Sequence, residues 1–202
     1  MAYSKYKDGT IVQTMPTLSP AVPVVVVLAA GRGERFITSG GKVHKLQALL
    51  AGKPVLDHTL AAVVASGLVF HVVESDPSRP GMGESIAAGV RATRDASCWL
   101  ILPADLPLIR ARTLRAIADA PPAAITVPTF KGRHGHPVRF DASCKDELLD
   151  FKGNQGAASI IRAQAAINLV AYLDVDDEGC VTDIDTLEDL QRAEVLLRSR
   201  SG

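Results

Sequence analysis

The sequence predicts an α/β domain built on a doubly wound, mostly parallel sheet, and three observations carry that expectation. An unbroken aliphatic run lies at residues 24–28, short apolar runs then alternate with helix-length segments, and the unusual Gly and Asp residues follow directly after the apolar runs. A strand with no polar residue on either face is one buried on both faces, as in a parallel sheet covered by helices, so 24–28 is the expected first central strand. Gly52-Lys53-Pro54 reads as a turn with Pro54 at the first helical position, and the helix after it stops at Gly67. The next strand is expected over 68–73. Gly81-Met82-Gly83 opens a second helix running to about Arg94, before a strand over 98–102 and a helix over 111–119. Later strands are expected at 124–127, 137–140 and 168–173, and later helices at 145–151, 157–166 and 186–198.

Bulk properties narrow the function. With 202 residues, 47% of them hydrophobic, the chain can bury one ordinary core. It reads as a single domain over 22–200 behind a loose, polar N-terminal arm over 1–21, which has no apolar stretch of signal-peptide type. Lys plus Arg and Asp plus Glu are each 22, so no global basic field exists to hold nucleic acid or an anionic membrane, and any anionic ligand must be bound locally. The longest apolar run, 21–30, is interrupted by Pro23 and falls short of the roughly 20 residues needed to cross a bilayer. Cys98, Cys144 and Cys180 lie far apart with no metal-ligand spacing, which fits a reducing, cytoplasmic compartment.

In open α/β sheets ligands sit beyond the carboxyl ends of the strands, so the residues there receive the functional reading first. Leu28-Ala29-Ala30-Gly31-Arg32-Gly33-Glu34-Arg35-Phe36 follows the first strand, with small residues that let backbone N–H groups approach phosphate oxygens and Arg35 placed to add charge. It lacks the Gly-Lys-Ser/Thr ending of a Walker loop and the third glycine of a dinucleotide fingerprint; the competing reading is a tight turn. Lys45 is placed to reach a nucleotide α-phosphate, with Lys42 as its competitor. Asp105, directly after a buried strand and between Pro103 and Pro107, is a good Mg2+ ligand. Either Asp183 or Asp185 can supply a second carboxylate, although Asp185 or Thr186 also suits the cap of the last helix. Gly81, Gly83 and Ser85 are placed to bring backbone amides and a hydroxyl against a base or ribose. His134 and His136 lack further ligands for zinc, and Lys131, Arg133 and His134 read better as a flexible loop over an acceptor substrate.

Taken in order, these segments resemble the NTP-transferase family that includes molybdenum cofactor cytidylyltransferase and its guanylyltransferase relative. Leu28 to Phe36 resembles the family's LAAGxSxRF/M loop, Lys45-Leu46 its downstream lysine, and the segment from Gly81 to Val90 its Gly-x-x-x-Ser segment. Pro103 to Leu108 resembles the G/A-Asp-x-Pro-x-Leu motif, Gly132 to Phe140 GxxGxPVxF, Gly153 to Ile161 GDxGA, and Asp183 to Leu190 DIDTPEDL. The resemblance implies a Rossmann-like fold of the nucleotide-diphospho-sugar transferase type. It places the loop amides and Arg35 on the NTP phosphates, Lys45 at the α-phosphate, and Asp105 with Asp185 at Mg2+. Ala30 matches the LAAG of the cytidylyl branch rather than the LAGG of the guanylyl branch, which implies CTP as nucleotide and molybdopterin as acceptor, with a recipient molybdoenzyme or its chaperone beyond. The rivals are GTP or a sugar phosphate as substrate, and a non-catalytic carrier of nucleotide or molybdopterin. Three departures stand out: a lengthened interval at 37–44, Asn154 in place of Asp, and Leu187 in place of Pro.

Overall fold

The computed structural model describes residues 22–76, 81–153 and 169–200. The expected arm, the helix over 157–166 and Asn154 lie outside these residues.

β1 (Pro23–Ala29) occupies an interior position, pairing in parallel with β4 (Val69–Glu74) on one side and β5 (Cys98–Pro103) on the other. Its valines divide between two cores, as a doubly covered strand requires. Val25 and Val27, with Leu100 and Leu102 of β5, pack against α2 (Val55–Ser66), α4 (Ala111–Ala118) and α6 (Leu187–Ser199) through Val63, Leu114, Ile117 and Ala193. Val24 and Val26, with Trp99 and Ile101, pack against α3 (Met82–Ala92) and α5 (Lys145–Leu149) through Ile86, Val90 and Leu148. Trp99 satisfies its indole N–H on Thr93 Oγ1 at 3.0 Å, which lets the largest side chain of the core be fully buried.

Leu100 has no exposed surface, and truncating it leaves a cavity that the strands around it cannot close. Leu100→Ala is expected to cost about 2–5 kcal/mol in urea denaturation. A loss under about 1 kcal/mol would contradict this account of the core.

The sheet runs β4-β1-β5-β8-β6, with β7 (Arg133–His134) and β9 (Val170–Asp174) also paired to β6 (Ile125–Phe130). β8 (Val138–Asp141) is antiparallel to both β5 and β6, so those two remain parallel to each other and the five longest strands share one direction. Among the described residues the sheet is therefore mostly parallel, with β8 antiparallel at its middle and the two-residue β7 antiparallel to β6. The cause is local. Lys131 and Gly132, with φ of 49° and 78°, reverse the chain in two residues, a hairpin geometry that leaves no length for a crossover helix. The segment expected as a flexible loop is thus this hairpin: Arg133 donates to the Val181 carbonyl at 3.0 Å and His134 stacks on Tyr172 with centroids 4.8 Å apart.

Most sequence-expected elements stand within two residues of their places. Pro54 precedes its helix as the N-cap rather than starting it, and Gly67 ends it in a left-handed conformation. A short hairpin of β2 (Leu49–Leu50) and β3 (Lys53–Pro54), the helix α1 (Glu34–Thr38) and a 3-10 turn at Lys45–Gln47 had no periodic signal, being too short to show one. Among the described residues, no helix is long and apolar enough to cross a membrane.

Candidate active site

The chain leaves β1 toward β4 on one side, whereas β5 leads on toward β8 and β6 on the other, so a crevice opens where the carboxyl ends of β1 and β5 lie side by side. The Ala104 amide donates to the Leu28 carbonyl at 3.1 Å, holding the Gly-rich loop beside the Asp105 segment. A cavity of about 550 Å³ fills this crevice. Leu28, Ala30, Gly31, Arg32, Gly33 and Arg35 form one wall, Gly81, Met82 and Ser85 another, and Lys45, Asp105 and Asp185 the floor. Gly33 is the N-cap of α1 at φ 67°, a left-handed conformation that a residue with a Cβ rarely adopts.

The floor is an ion-pair cluster. Lys45 Nζ lies 2.6 Å from Asp105 Oδ2 and 2.7 Å from Asp185 Oδ1, and Arg35 reaches Asp185 Oδ2 at 2.8 Å. Burial favours the neutral form of Lys45, but the two carboxylates outweigh it and hold the ammonium pKa above its ordinary value. Burial likewise pushes Asp185 up, and Lys45 and Arg35 together pull it below the usual carboxylate range. Asp183 goes the other way: desolvation raises it, its own amide opposes that, and the neighbouring charges of Asp105, Asp185 and Asp189 add to the rise.

The closing segment is docked on this floor by the Ile184 amide, which donates to the Asp105 carbonyl at 3.0 Å. Thr186 is the N-cap of α6 and forms a capping box with Asp189. Asp189 also accepts the Asp185 amide, so the Asp185 carboxylate has no capping duty and faces Lys45. The segment by itself left Asp183 and Asp185 open as the second acid and the family resemblance implied Asp185; the geometry brings Asp185 into the cluster. Lys42 is exposed and is not part of the cavity wall, whereas Lys45 has only 11% of its side chain exposed.

A divalent cation fits this donor set. Asp105 Oδ1 is buried and has no hydrogen-bond partner among the described residues, a lack that a cation or its water would satisfy. Among the described residues no group of three His, Cys, Asp or Glu side chains is arranged to hold a metal, so two carboxylates would need phosphate oxygens to complete the shell.

On the opposite wall, the Gly83 amide donates to the Gly153 carbonyl at 2.9 Å and the Gly153 amide to Glu84 Oε1 at 2.6 Å. That second bond is the main reason the Glu84 carboxyl lies below its ordinary range. Gly83 is therefore turned to structure rather than to the cavity, and Ala29 likewise stays out of the lining. Ser85 lines the cavity, with its hydroxyl donated to the Gly81 carbonyl at 3.2 Å. A Cβ at Gly81 would collide with the Gly153 carbonyl and crowd Glu84. Gly81→Ala is expected to raise the KM for nucleotide about tenfold by displacing this wall, with a smaller change in kcat. An unaltered KM would remove the wall from the nucleotide site.

Sequence reading missed Glu84, His136 and His44. Glu84 gave a weak signal as an acid in a helix's first turn, whose Gly153 partner is distant in sequence. His136 has a buried Nδ1 with no partner among the described residues and lies within electrostatic reach of Asp105 and Asp183, and burial pushes its pKa down. The lengthened interval at 37–44 is tied at both ends: the Leu187 amide, absent where the family carries Pro, donates to Ser39 Oγ at 3.0 Å, and His44 Nε2 lies 2.8 Å from the Gly31 carbonyl.

Residues 64–167 match the family model described as the MobA-like NTP transferase domain. The chain belongs to this family. Relatives by sequence include the purine catabolism protein PucB of Bacillus subtilis, 31% identical over 122 residues that cover 59% of this chain; the chain spans 58% of that relative's length. A 2-C-methyl-D-erythritol 4-phosphate cytidylyltransferase of Cereibacter sphaeroides is 34% identical over 169 residues, covering 69% of this chain and 68% of that protein. Among solved structures, a nucleotidyl transferase from Methanothermobacter superposes with a TM-score of 0.76 at 22% identity, over 88% of this chain and 99% of that one. The chain therefore carries a MobA-like NTP transferase domain, in the Rossmann-like fold expected of it.

Proposed function

We propose that this nucleotidyltransferase moves CMP from CTP to the phosphate of molybdopterin and releases pyrophosphate, with Asp105 and Asp185 holding Mg2+. The observation that carries the reading is the convergence of the LAAG loop, Arg35, Lys45, Asp105 and Asp185 on one cavity from four separated segments. Ala30, the residue that separates the LAAG loop from its LAGG counterpart, lies in the cavity wall, and a cytidylyltransferase is among the relatives above 30% identity. The molybdopterin acceptor rests on the ordered motifs and on membership of the MobA-like family. A recipient molybdoenzyme or its chaperone would take the product.

The amides of the Gly31–Gly33 turn and the Arg35 guanidinium hold the triphosphate, whose charge the neutral chain as a whole does not attract. Lys45, a point charge on a flexible stem, leaves the two carboxylates for the α-phosphate. An oxygen of the acceptor phosphate then attacks the α-phosphorus in line. The new P–O bond forms as the bond to the β-phosphate breaks, and pyrophosphate leaves with the electron pair. Mg2+ bound at Asp105 and Asp185 would neutralise charge on the phosphate oxygens. The chain's own part is to position and to neutralise; no covalent intermediate is required.

The test is pyrophosphate release by the full chain with Mg2+ and molybdopterin, offering CTP, GTP, ATP and UTP separately. Release with CTP is expected. Release with GTP alone would move the reading to the guanylyl branch, and no release with any of the four would leave another acceptor, such as a sugar phosphate, or a non-catalytic carrier as the better account.

A further inference from the structure

His44 ends the lengthened interval at 37–44, and its imidazole bonds both the Gly-rich loop and the turn that carries Lys45. Nε2 lies 2.8 Å from the Gly31 carbonyl oxygen, and Nδ1 receives the Leu46 amide at 3.3 Å. A carbonyl oxygen only accepts, so the proton is on Nε2; Nδ1, facing an N–H, keeps its lone pair. The two partners therefore select one neutral tautomer. The same ring packs on the loop's left-handed glycine, where a Cβ at Gly33 would lie 3.2 Å from Nε2. His44 is also the N-cap of the 3-10 turn that begins at Lys45, and its carbonyl accepts the Gln47 amide at 2.8 Å.

We infer that His44 is a positioning residue that locks the Gly-rich loop to the turn presenting Lys45, so that both address one triphosphate together. The peptide between Gly31 and Arg32 is planar and trans; with its C=O held by His44, its N–H points away from the imidazole and is set in one orientation for an anion. Without the clasp, that peptide is free to flip and Lys45 can move independently of the loop. Some of the binding free energy of a triphosphate is then spent on ordering two elements instead of none.

The inference rests on the nucleotide reading of the cavity but not on the choice of base or acceptor, so inorganic tripolyphosphate is the probe. Its binding to the full chain is measured by calorimetry for wild type, His44→Ala, His44→Asn and His44→Gln, with thermal midpoints recorded alongside. Asn supplies the short-range acceptor that caps the Leu46 amide and is too short to reach Gly31, whereas Gln carries an amide donor out to the position of Nε2. Alanine is expected to weaken binding about tenfold, the effect of roughly one hydrogen bond. Gln should recover more of the affinity than Asn, although Asn, as the better cap, should have the higher midpoint. Wild-type affinity in His44→Ala, or recovery by Asn at least equal to that by Gln, would show that His44 only caps its turn and overturn the inference. If alanine prevents folding, the Asn and Gln pair decides by itself. Should the wild-type chain fail to release pyrophosphate from any NTP yet bind tripolyphosphate, the function reading fails while the clasp is still tested.

Discussion

Asp105→Asn lowers pyrophosphate release at saturating CTP by roughly 10²–10³-fold, the loss typical when one preorganised charge is taken from a transition-state site. The fold should tolerate the change. Asn preserves the shape of the side chain, and Lys45 keeps its contact with Asp185 at 2.7 Å, so the expected stability loss is under about 1.5 kcal/mol. Asp105 Oδ1 has no hydrogen-bond partner among the described residues, and for that reason the substitution reports on what binds there rather than on what holds the core together. The measurement is a steady-state assay across Mg2+ concentrations beside a denaturation curve. Wild-type turnover by the variant at limiting Mg2+ would falsify the metal assignment.

Lys45→Met has the second large effect, and it is legible in two ways. Turnover falls by a similar roughly 10²–10³-fold because no compact cation is left to meet charge at the α-phosphate. Stability falls as well, by roughly 1.5–3 kcal/mol at neutral pH, since Asp105 and Asp185 then face each other with only the exposed Arg35 between them and solvent. The pH dependence follows from the direction of each shift. The Asp185 pKa is depressed in the folded chain, so its contribution is fully present above the unfolded value near ~3.9 and disappears as pH falls through the lower folded value. The Lys45 pKa is raised, so its contribution is fully present below ~10.4 and disappears as pH rises through the higher folded value. The stability gap between wild type and variant should therefore be flat between about pH 5 and 10 and close on both sides. A gap independent of pH down to pH 2 would mean that the methionine disturbs packing and that the charges contribute nothing measurable.

Asp105 and Asp185 are legible in the sequence alone, and the reason is positional. Asp105 follows an apolar strand directly and Asp185 precedes a helix with a strong capping signal, so each could be placed at a known end of a known element. Lys45 gave no such signal by itself, because the 3-10 turn that carries it is three residues long. Its place beside both carboxylates, which Lys42 does not share, shows only in the cluster of 2.6 and 2.7 Å contacts. Glu84 and His44 were illegible for a related reason: their partners, Gly153 and Gly31, are backbone atoms 69 and 13 residues away, and no residue pattern records which amide or carbonyl a side chain will meet.

What the sequence determined by itself is the layering of the molecule. Five valine and leucine positions without a polar neighbour specify a strand buried on both faces, and the alternation of such strands with helix-length segments specifies helices to cover them. Hydrophobic burial depends on composition and period, both of which are written along the chain. What only the tertiary structure decided is the direction of β8, the contact of Lys45 rather than Lys42 with both carboxylates, and the two locks that His44 and Glu84 place on the cavity walls. Each of these depends on a hydrogen bond or an ion pair a few ångströms long between distant segments. Such contacts are directional and short-ranged, so they exist only once the hydrophobic layers have brought their partners together.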